Sequence, residues 1–254
     1  MRTLLPLLFL SLAFLACESK QSGDISSSEV PVANAQTIVD RAIEVHGGER
    51  FENLEMAFRF RDREYTAKRE DGQYTYTRAF TDTLGQVKDV LTNSGFSRTI
   101  NGKRQSLPAE RVKAFTASVN SVIYFALLPF GLNDPAVQKQ LLGTVTIKGI
   151  PYHKIKVTFK QDGGGEDFQD EFLYWMNQEK GTMDYLAYTY ATEGGGIRFR
   201  KAINPKVIQG IRFQDYINYE PAGNNFLEIE KDFEAGNLKE LSRIELQDIK
   251  VRAR

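Results

Sequence analysis

The sequence predicts a mainly β protein of the α+β type: a single large, strongly curved antiparallel sheet, an open half-barrel, with helices packed in its concave face. Three observations predict this class. Alternating apolar and polar residues recur between turn residues along most of the chain, as in antiparallel strands. Helix and strand patterns do not alternate regularly, which argues against a parallel barrel or a doubly wound fold. One long stretch, between Lys113 and Asp134, has helical spacing and no charged residue.

The first 16 residues have the pattern of a signal peptide. Arg2 precedes an apolar run, 4–15, that is too short for a membrane-spanning helix. The run ends in Phe14-Leu15-Ala16-Cys17, which resembles the lipobox of bacterial lipoproteins. That resemblance implies cleavage before Cys17, acylation of its sulfur, and a lipid anchor in the outer membrane of a Gram-negative envelope. The alternative is ordinary secretory cleavage that leaves a free thiol on the only cysteine of the chain.

The next segment, 17–35, is predicted to be a lipidated flexible tether. It is rich in serine and polar residues and shows no apolar periodicity. A single half-barrel domain is expected to occupy residues 36–254. In lipoproteins of the Bacteroidota type, acidic residues after the cysteine direct export to the cell surface. Lys20 dilutes the acidic pair Glu18 and Asp24, so both the periplasmic and the surface face are compatible with the sequence.

The first half of the domain begins with a helix and continues as a meander of strands. Asn34 is a capping residue for a helix that runs to His46, and Gly47-Gly48 ends it. Strands follow at 54–60, 64–69, 73–80, 86–92 and 96–100. Turn residues between and after them are Gly72, Gly85, Ser94-Gly95 and Asn101-Gly102. The period of two indicates one buried and one solvated face.

The uncharged stretch, 112–132, predicts a helix of about five turns laid against the sheet. Apolar side chains recur on one side of it, and its other side carries alanine, serine and threonine in place of charges. Because so little charge faces outward, the helix is expected to be largely covered. Pro108 is placed where a first helical turn tolerates proline, and Pro129 ends the pattern.

Strands resume in the second half at 144–148, 152–160, 170–177, 183–190, 197–203, 210–220 and 238–251, with a short helix at 225–235. The strands at 170–177 and 183–190 are apolar on both faces. An antiparallel sheet is normally solvated on one side, so either helices cover the second face or it lines an apolar cavity.

Composition and motifs exclude several functions. Lys plus Arg and Asp plus Glu number 33 each, so no net charge attracts nucleic acid. His46 and His153 are far apart and only one cysteine exists, so no metal site or cofactor is predicted. The glycine runs at 163–165 and 194–196 have no following helix to bind phosphate and indicate hairpin turns. His46, at a helix end, is expected to favour the imidazolium form, and His153 to be a core residue.

Five residues are candidates for ligand binding. Arg198 and Arg200 share one face of a strand, where an exposed basic ladder is the alternative. Guanidinium groups at the mouth of an aromatic cavity can hold a carboxylate, a phosphate or a lipid head group. Trp175, Tyr188 and Tyr190 would line that cavity, although ordinary core packing also explains these aromatic residues. Together they describe an amphiphile site that is apolar inside and cationic at its rim.

The order of these elements resembles the lipoprotein-localisation superfamily of LolA and LolB. The features concerned are the lipobox, tether, first helix, meander, central apolar helix and the Trp175-Met176-Asn177 strand followed by Asp184-Tyr185-Leu186. The helix end at 45–48, the segment 184–188, and residues 198–200 and 210–213 also resemble an uncharacterised family of Bacteroidota lipoproteins. The superfamily implies a half-barrel that holds acyl chains under its helices.

The resulting hypothesis is a non-catalytic, envelope-anchored protein that binds a hydrophobic or amphipathic ligand: a lipid, an acyl chain or a lipidated partner. It contacts the membrane through its N-terminal lipid. One alternative is a structural or protein-interaction module with a filled core. The other is a hydrolase that uses Glu171 and Asp184 as general acid and base.

Overall fold

The computed structural model describes residues 33–163, 168–191 and 194–253. The predicted signal peptide, Cys17 and all but the last three residues of the predicted tether lie outside the described residues. The chain from Ala33 onward forms one compact unit.

The described residues contain fourteen strands in two antiparallel sheets of seven strands each. The first sheet consists of β1 (Leu54–Phe60), β2 (Arg63–Glu70), β3 (Gln73–Asp82), β4 (Gly85–Thr92), β5 (Gly95–Ile100), β6 (Lys103–Arg104) and β14 (Gln247–Ala253). The second consists of β7 (Val137–Ile147), β8 (Ile150–Phe159), β9 (Phe172–Asn177), β10 (Met183–Tyr190), β11 (Gly196–Ile208), β12 (Ile211–Pro221) and β13 (Leu238–Ile244). The strand orders are β14-β1-β2-β3-β4-β5-β6 and β13-β12-β11-β10-β9-β8-β7.

The predicted class, mainly β and antiparallel with few helices, is confirmed, and its strands are divided between two hydrogen-bonded sheets. The chain crosses from the second sheet to the first between β13 and β14, so the single strand predicted at 238–251 is wrong. The cause is a buried corner at Leu246, which is 6% exposed. The Leu246 amide donates a hydrogen bond to Asp215 Oδ1 over 3.0 Å, and this bond turns the backbone out of the β13 ladder.

In the described ranges, three α-helices accompany the sheets: α1 (Ala35–His46), α2 (Ala109–Leu127) and α3 (Ile229–Ala235). Asn34 caps α1 as predicted, because its side chain accepts a hydrogen bond from the Thr37 amide over 2.9 Å. Gly47 ends α1 with a φ of 153°, a conformation that favours glycine. α2 begins directly after Pro108 and ends before Pro129, as the sequence predicted.

α2 lies between the two sheets and contributes to the core of each. Val119, Ile123 and Leu127 are buried against the first sheet. Tyr124 and Phe125 pack against the second. The helix therefore connects the two apolar cores.

The prediction that α2 is largely covered is wrong for part of the helix. Ala114, Asn120 and Ser121 are exposed. Small and uncharged side chains do not require burial, so the lack of charge overstated the coverage of the helix. Among the described residues, no helix has both the length and the apolar character needed to cross a bilayer.

Candidate functional site on the second sheet

Helices cover both faces of the second sheet, which explains why its central strands are apolar on both sides. We define its inner face as the one that packs against α1 and α2, where Phe172, Tyr174 and Tyr188 lie. The outer face packs against α3 and includes Leu173 and Trp175. Of the two alternatives that the sequence left open, the covering helices are therefore observed.

An aromatic cluster occupies the inner face and consists of Phe125, Phe159, Phe172, Tyr174 and Tyr188. The Phe172 ring centroid is 5.5 Å from that of Tyr188 and 5.7 Å from that of Phe159. The Phe125 ring of α2 lies 5.3 Å from Tyr188. These separations are those of attractive ring pairs. Phe125, Phe159 and Tyr188 are only partly buried, so the cluster extends from the core to the surface.

Arg200 projects from β11 into this cluster. Its residue exposure is 8%, and its Nη2 donates a hydrogen bond to the Tyr188 hydroxyl over 2.8 Å. The guanidinium carbon lies 4.0 Å from the centroid of the Phe125 ring, a cation–π contact between the sheet and α2. Its Nε is buried and has no hydrogen-bond partner among the described residues. Burial lowers the pKa of Arg200 below its usual range, since the charged form is partly desolvated.

Arg198 and Tyr190 lie at the edge of the same face. The Arg198 guanidinium is 4.9 Å from the Tyr190 ring centroid. It also approaches a Glu220 carboxylate oxygen at 3.6 Å. The Arg198 side chain is 22% exposed, so it is a paired charge at the rim, whereas Arg200 is buried.

Trp175 does not share this surface with the other four predicted residues. It lies on the outer face, where its ring is 5.5 Å from that of Phe199 and its exposure is 0%. Residues of a strand alternate between faces, and Trp175 has the opposite parity to Phe172 and Tyr174. The structure thus brings together Tyr188, Tyr190, Arg198 and Arg200 and places Trp175 in the core beneath α3.

Sequence reasoning missed a row of polar side chains on β12. Gln214 and Tyr216 lie on its buried side, and Gln214 Nε2 donates hydrogen bonds to the Met183 carbonyl and to the Tyr216 hydroxyl, over 2.8 and 3.0 Å. Asn218 follows two residues later and lies directly opposite Arg200. Alternate polar residues from Arg212 to Asn218 were the available signal.

Of the two histidines, His46 is buried and His153 is partly buried. His46 is 0% exposed, and its Nδ1 lies 2.8 Å from the Ala42 carbonyl. Burial lowers the pKa of His46 to about 4, so the predicted preference for imidazolium is wrong. Desolvation outweighs the partial negative charge of the helix end. His153 is partly buried, and burial lowers its pKa as well.

The two carboxylates that a hydrolase would use do not meet. Glu171 pairs with Lys156 over 2.6 Å, and Asp184 accepts hydrogen bonds from Tyr152, Asn177 and Thr182. The Glu171 amide donates a hydrogen bond to the Thr189 hydroxyl. Thr189 lies five residues from Asp184 along β10, which corresponds to about 16 Å in an extended strand. Within the described ranges, no group of three or more His, Cys, Asp or Glu residues has the geometry to hold a metal ion.

Two of the surface pockets formed by the described residues lie away from α2. One, of about 420 Å³, is lined by Ala222, Gly223, Asn224, Asn225, Asp232 and Asn237. The other has a volume of about 10 Å³ and lies along β1 and β2. In this conformation the Phe125 ring of α2 lies against the Tyr188 ring and the Arg200 guanidinium.

Solved structures share this fold. A LolA superfamily protein from Nitrosomonas europaea superposes with a TM-score of 0.50 at 14% identity, over 88% of this chain and 96% of that chain. A DUF1329 family protein from Desulfovibrio piger gives 0.51 at 12% identity, over 86% and 93%. These likenesses show the fold alone, and they confirm the predicted resemblance to the LolA superfamily. No curated protein matches the sequence, whereas the model of a family described as a family of unknown function (DUF6503) matches residues 12–233.

Proposed function

We propose that this chain, which belongs to the family of unknown function DUF6503, is a non-catalytic protein that binds a hydrophobic or amphipathic ligand. The ligand class is a lipid, an acyl chain or a lipidated partner. The inner face of the second sheet would supply the binding surface. Tyr188, Tyr190, Arg198 and Arg200 would contact the ligand, and Trp175 would support the strands from the outer face.

The observation that carries this proposal is the aromatic cluster around a buried arginine. A cluster that served only as core would be sealed from solvent, whereas Phe125, Phe159 and Tyr188 are each partly exposed. An apolar wall with a few placed polar groups is the usual composition of a small-molecule site. The fold that this chain shares with a LolA superfamily protein supports the same assignment, since the resemblance implies acyl chains held under helices.

Ligand binding on this surface requires α2 to move. Phe125 of α2 covers the Tyr188 ring and the Arg200 guanidinium in the closed conformation. Ala114, Asn120 and Ser121 of α2 are exposed, so an outward displacement of the helix breaks few contacts at these residues. An acyl chain would then replace Phe125 against the sheet, with the helix as a lid.

The proposed location is the Gram-negative envelope, with the body anchored to the outer membrane through a lipid on Cys17. Residues 1–16 would be the signal peptide, 17–35 the tether and 36–254 the binding domain. Each buried methylene contributes about 0.8 kcal/mol, so a multiply acylated terminus anchors stably. A tethered body is suited to act as a fixed receptor, whereas a soluble shuttle would need to leave the membrane.

Native mass spectrometry of the full-length chain carrying Cys17→Ser tests the proposal. We expect a retained small molecule with the mass of a lipid. Tyr188→Asp should abolish this retention, because a carboxylate on the inner face opposes an apolar ligand. Tyr219→Asp, which places the same charge on the outer face of the sheet, is the matched control and should retain it. Unchanged lipid content in a folded Tyr188→Asp protein would contradict the proposal.

A second candidate function is a protein-interaction module with a filled core. The specific observation in its favour is that the Phe125 ring of α2 packs 5.3 Å from the Tyr188 ring and 4.0 Å from the Arg200 guanidinium. An apolar fluorescent dye distinguishes the two functions. The binding protein should bind the dye after delipidation, and Tyr188→Asp should reduce that binding, whereas a filled core would leave the dye free in solution.

A further inference from the structure

We propose that Arg200 and Asn218 form a head-group site for an amphiphile with a single carboxylate, the chemistry of a fatty acid. The inference rests on the proposed function and narrows its ligand class. Arg200 would bind the carboxylate through its free Nε–H edge. The alkyl chain would lie against the aromatic cluster that contains Phe125 and Tyr188.

The buried charge of Arg200 has no partner of opposite sign in the described part of the chain. The side chain of Arg200 forms its one hydrogen bond there with a neutral hydroxyl, that of Tyr188. Its remaining contacts are with the faces of the Phe125 and Tyr188 rings. Ring faces stabilise a cation weakly compared with a carboxylate, and a buried charge is costly unless it is paired. An anionic ligand would supply the missing partner.

Asn218 provides a second unsatisfied group at the same place. It pairs with Arg200 across β11 and β12 and with Ser242 across β12 and β13, so the three side chains form a row across three strands. Asn218 Nδ2 donates to the Ser242 hydroxyl over 3.4 Å. Asn218 Oδ1 is buried without a donor in the described ranges, as is the Arg200 Nε–H without an acceptor.

Buried polar atoms nearly always have partners, so an orphan donor beside an orphan acceptor marks a place for a polar group. A carboxylate with one bound water would satisfy both, since the carboxylate accepts from Arg200 and the water donates to Asn218. A hydrocarbon without a head group would leave both atoms unsatisfied. The row thus selects amphiphiles over neutral oils.

The charge at this site matches a monovalent anion better than a phosphate dianion. Arg198, two residues along β11, is already paired with Glu220 at 3.6 Å. Arg212 lies six residues from Asn218 along β12, a distance of about 20 Å in an extended strand. Among the described residues, Arg200 is the cation that lies directly opposite Asn218 and has no carboxylate partner.

Fluorescence titration of the delipidated full-length chain carrying Cys17→Ser tests the inference. The probes are cis-parinaric acid, its methyl ester and dodecyl phosphate as a competitor. We expect the acid to bind about tenfold or more tightly than the ester, as for a hydrogen bond to a charged group. Dodecanoate should displace the acid at lower concentration than dodecyl phosphate.

Variants locate the preference. Arg200→Gln should bring the acid and the ester to equal affinity, and Arg200→Lys should keep part of the preference for the acid. The control is Arg243→Gln, at an exposed arginine on β13, which should keep all of the preference. Asn218→Asp places a carboxylate opposite Arg200, should preserve folding, and should also remove the preference. This variant tests the site if Arg200→Gln fails to fold.

Each outcome separates this inference from the proposed function. Equal affinity of the original chain for acid and ester, or a preference that survives in folded Arg200→Gln, would overturn the carboxylate site and leave hydrophobic binding intact. Stronger displacement by dodecyl phosphate would overturn the monovalent assignment. Failure to bind either parinaric probe would refute the proposed function itself.

Discussion

Removal of the charge of Asp89 should destabilise the first sheet more than any surface substitution. Asp89 is 0% exposed and accepts four hydrogen bonds from two arginines. Arg78 donates to it over 2.9 and 2.6 Å, and Arg98 donates over 2.6 and 2.9 Å. The Arg78 side chain is 2% exposed and that of Arg98 is 11% exposed. Asp89→Asn keeps the shape but leaves two largely buried guanidinium groups without a counter-charge.

Removal of one partner of a buried ion pair typically costs about 3–5 kcal/mol. For a domain of this size, a loss of about 4 kcal/mol lowers the melting temperature by roughly 8–16 °C. Urea denaturation followed by circular dichroism should show a lower midpoint at an unchanged slope. The control is Asp248→Asn, because Asp248 pairs with Arg59 at 3.0 Å and both side chains are at least half exposed. This substitution should cost less than about 1 kcal/mol. An Asp89→Asn protein within 1 kcal/mol of the original, by the same measurement, would refute this account.

Two further predictions concern α1. Because burial lowers the pKa of His46 from 6.5 to about 4, the unfolded chain binds a proton first as the pH falls. The contribution of His46 to the free energy of unfolding should therefore be complete above pH 6.5 and fall by up to ~3 kcal/mol between pH 6.5 and about 4. Below that pH, this group causes no further loss. Denaturant titrations at several pH values in this range should show the free energy of unfolding falling with pH, and His46→Gln should reduce that fall. An equal fall in His46→Gln would assign the pH dependence to other groups. Asn34→Ala removes the cap of α1 and should cost ~1 kcal/mol in the same assay, whereas Asn34→Ser should cost a few tenths; equal losses in both variants would contradict the capping role.

The fold could be predicted from the sequence wherever local pattern and local chemistry agree. The alternation at Leu54–Phe60 gave the bounds of β1, and Asn34 and Gly47 gave the bounds of α1. The division into two sheets could not be predicted. One of the two connections between the sheets, from β13 to β14, turns at the hydrogen bond between Leu246 and Asp215, whose partners are 31 residues apart. Periodicity carries no information about such contacts.

The candidate site was predicted only in part. Tyr188, Arg198 and Arg200 were identified because charged and aromatic residues alternate on strands of known parity. Strand parity relates residues within one strand, but it does not say which face of one strand matches which face of the next. The bulge in β10 between Met183 and Tyr185 changes that correspondence. The burial that separates Arg200 from Arg198, and that gives Asn218 its role, also arises only when strands and helices pack.

The sequence by itself determined the antiparallel β class, the positions of most strands, the caps of α1 and an uncharged central helix. These features depend on residues within a few positions of each other, whose spacing decides which side of an element is apolar. Tertiary structure alone decided that α2 joins two cores, that Trp175 lies on the outer face, and that the pKa of His46 is lowered. Each of these depends on desolvation, and the water removed from a side chain is set by neighbours that are distant in the sequence.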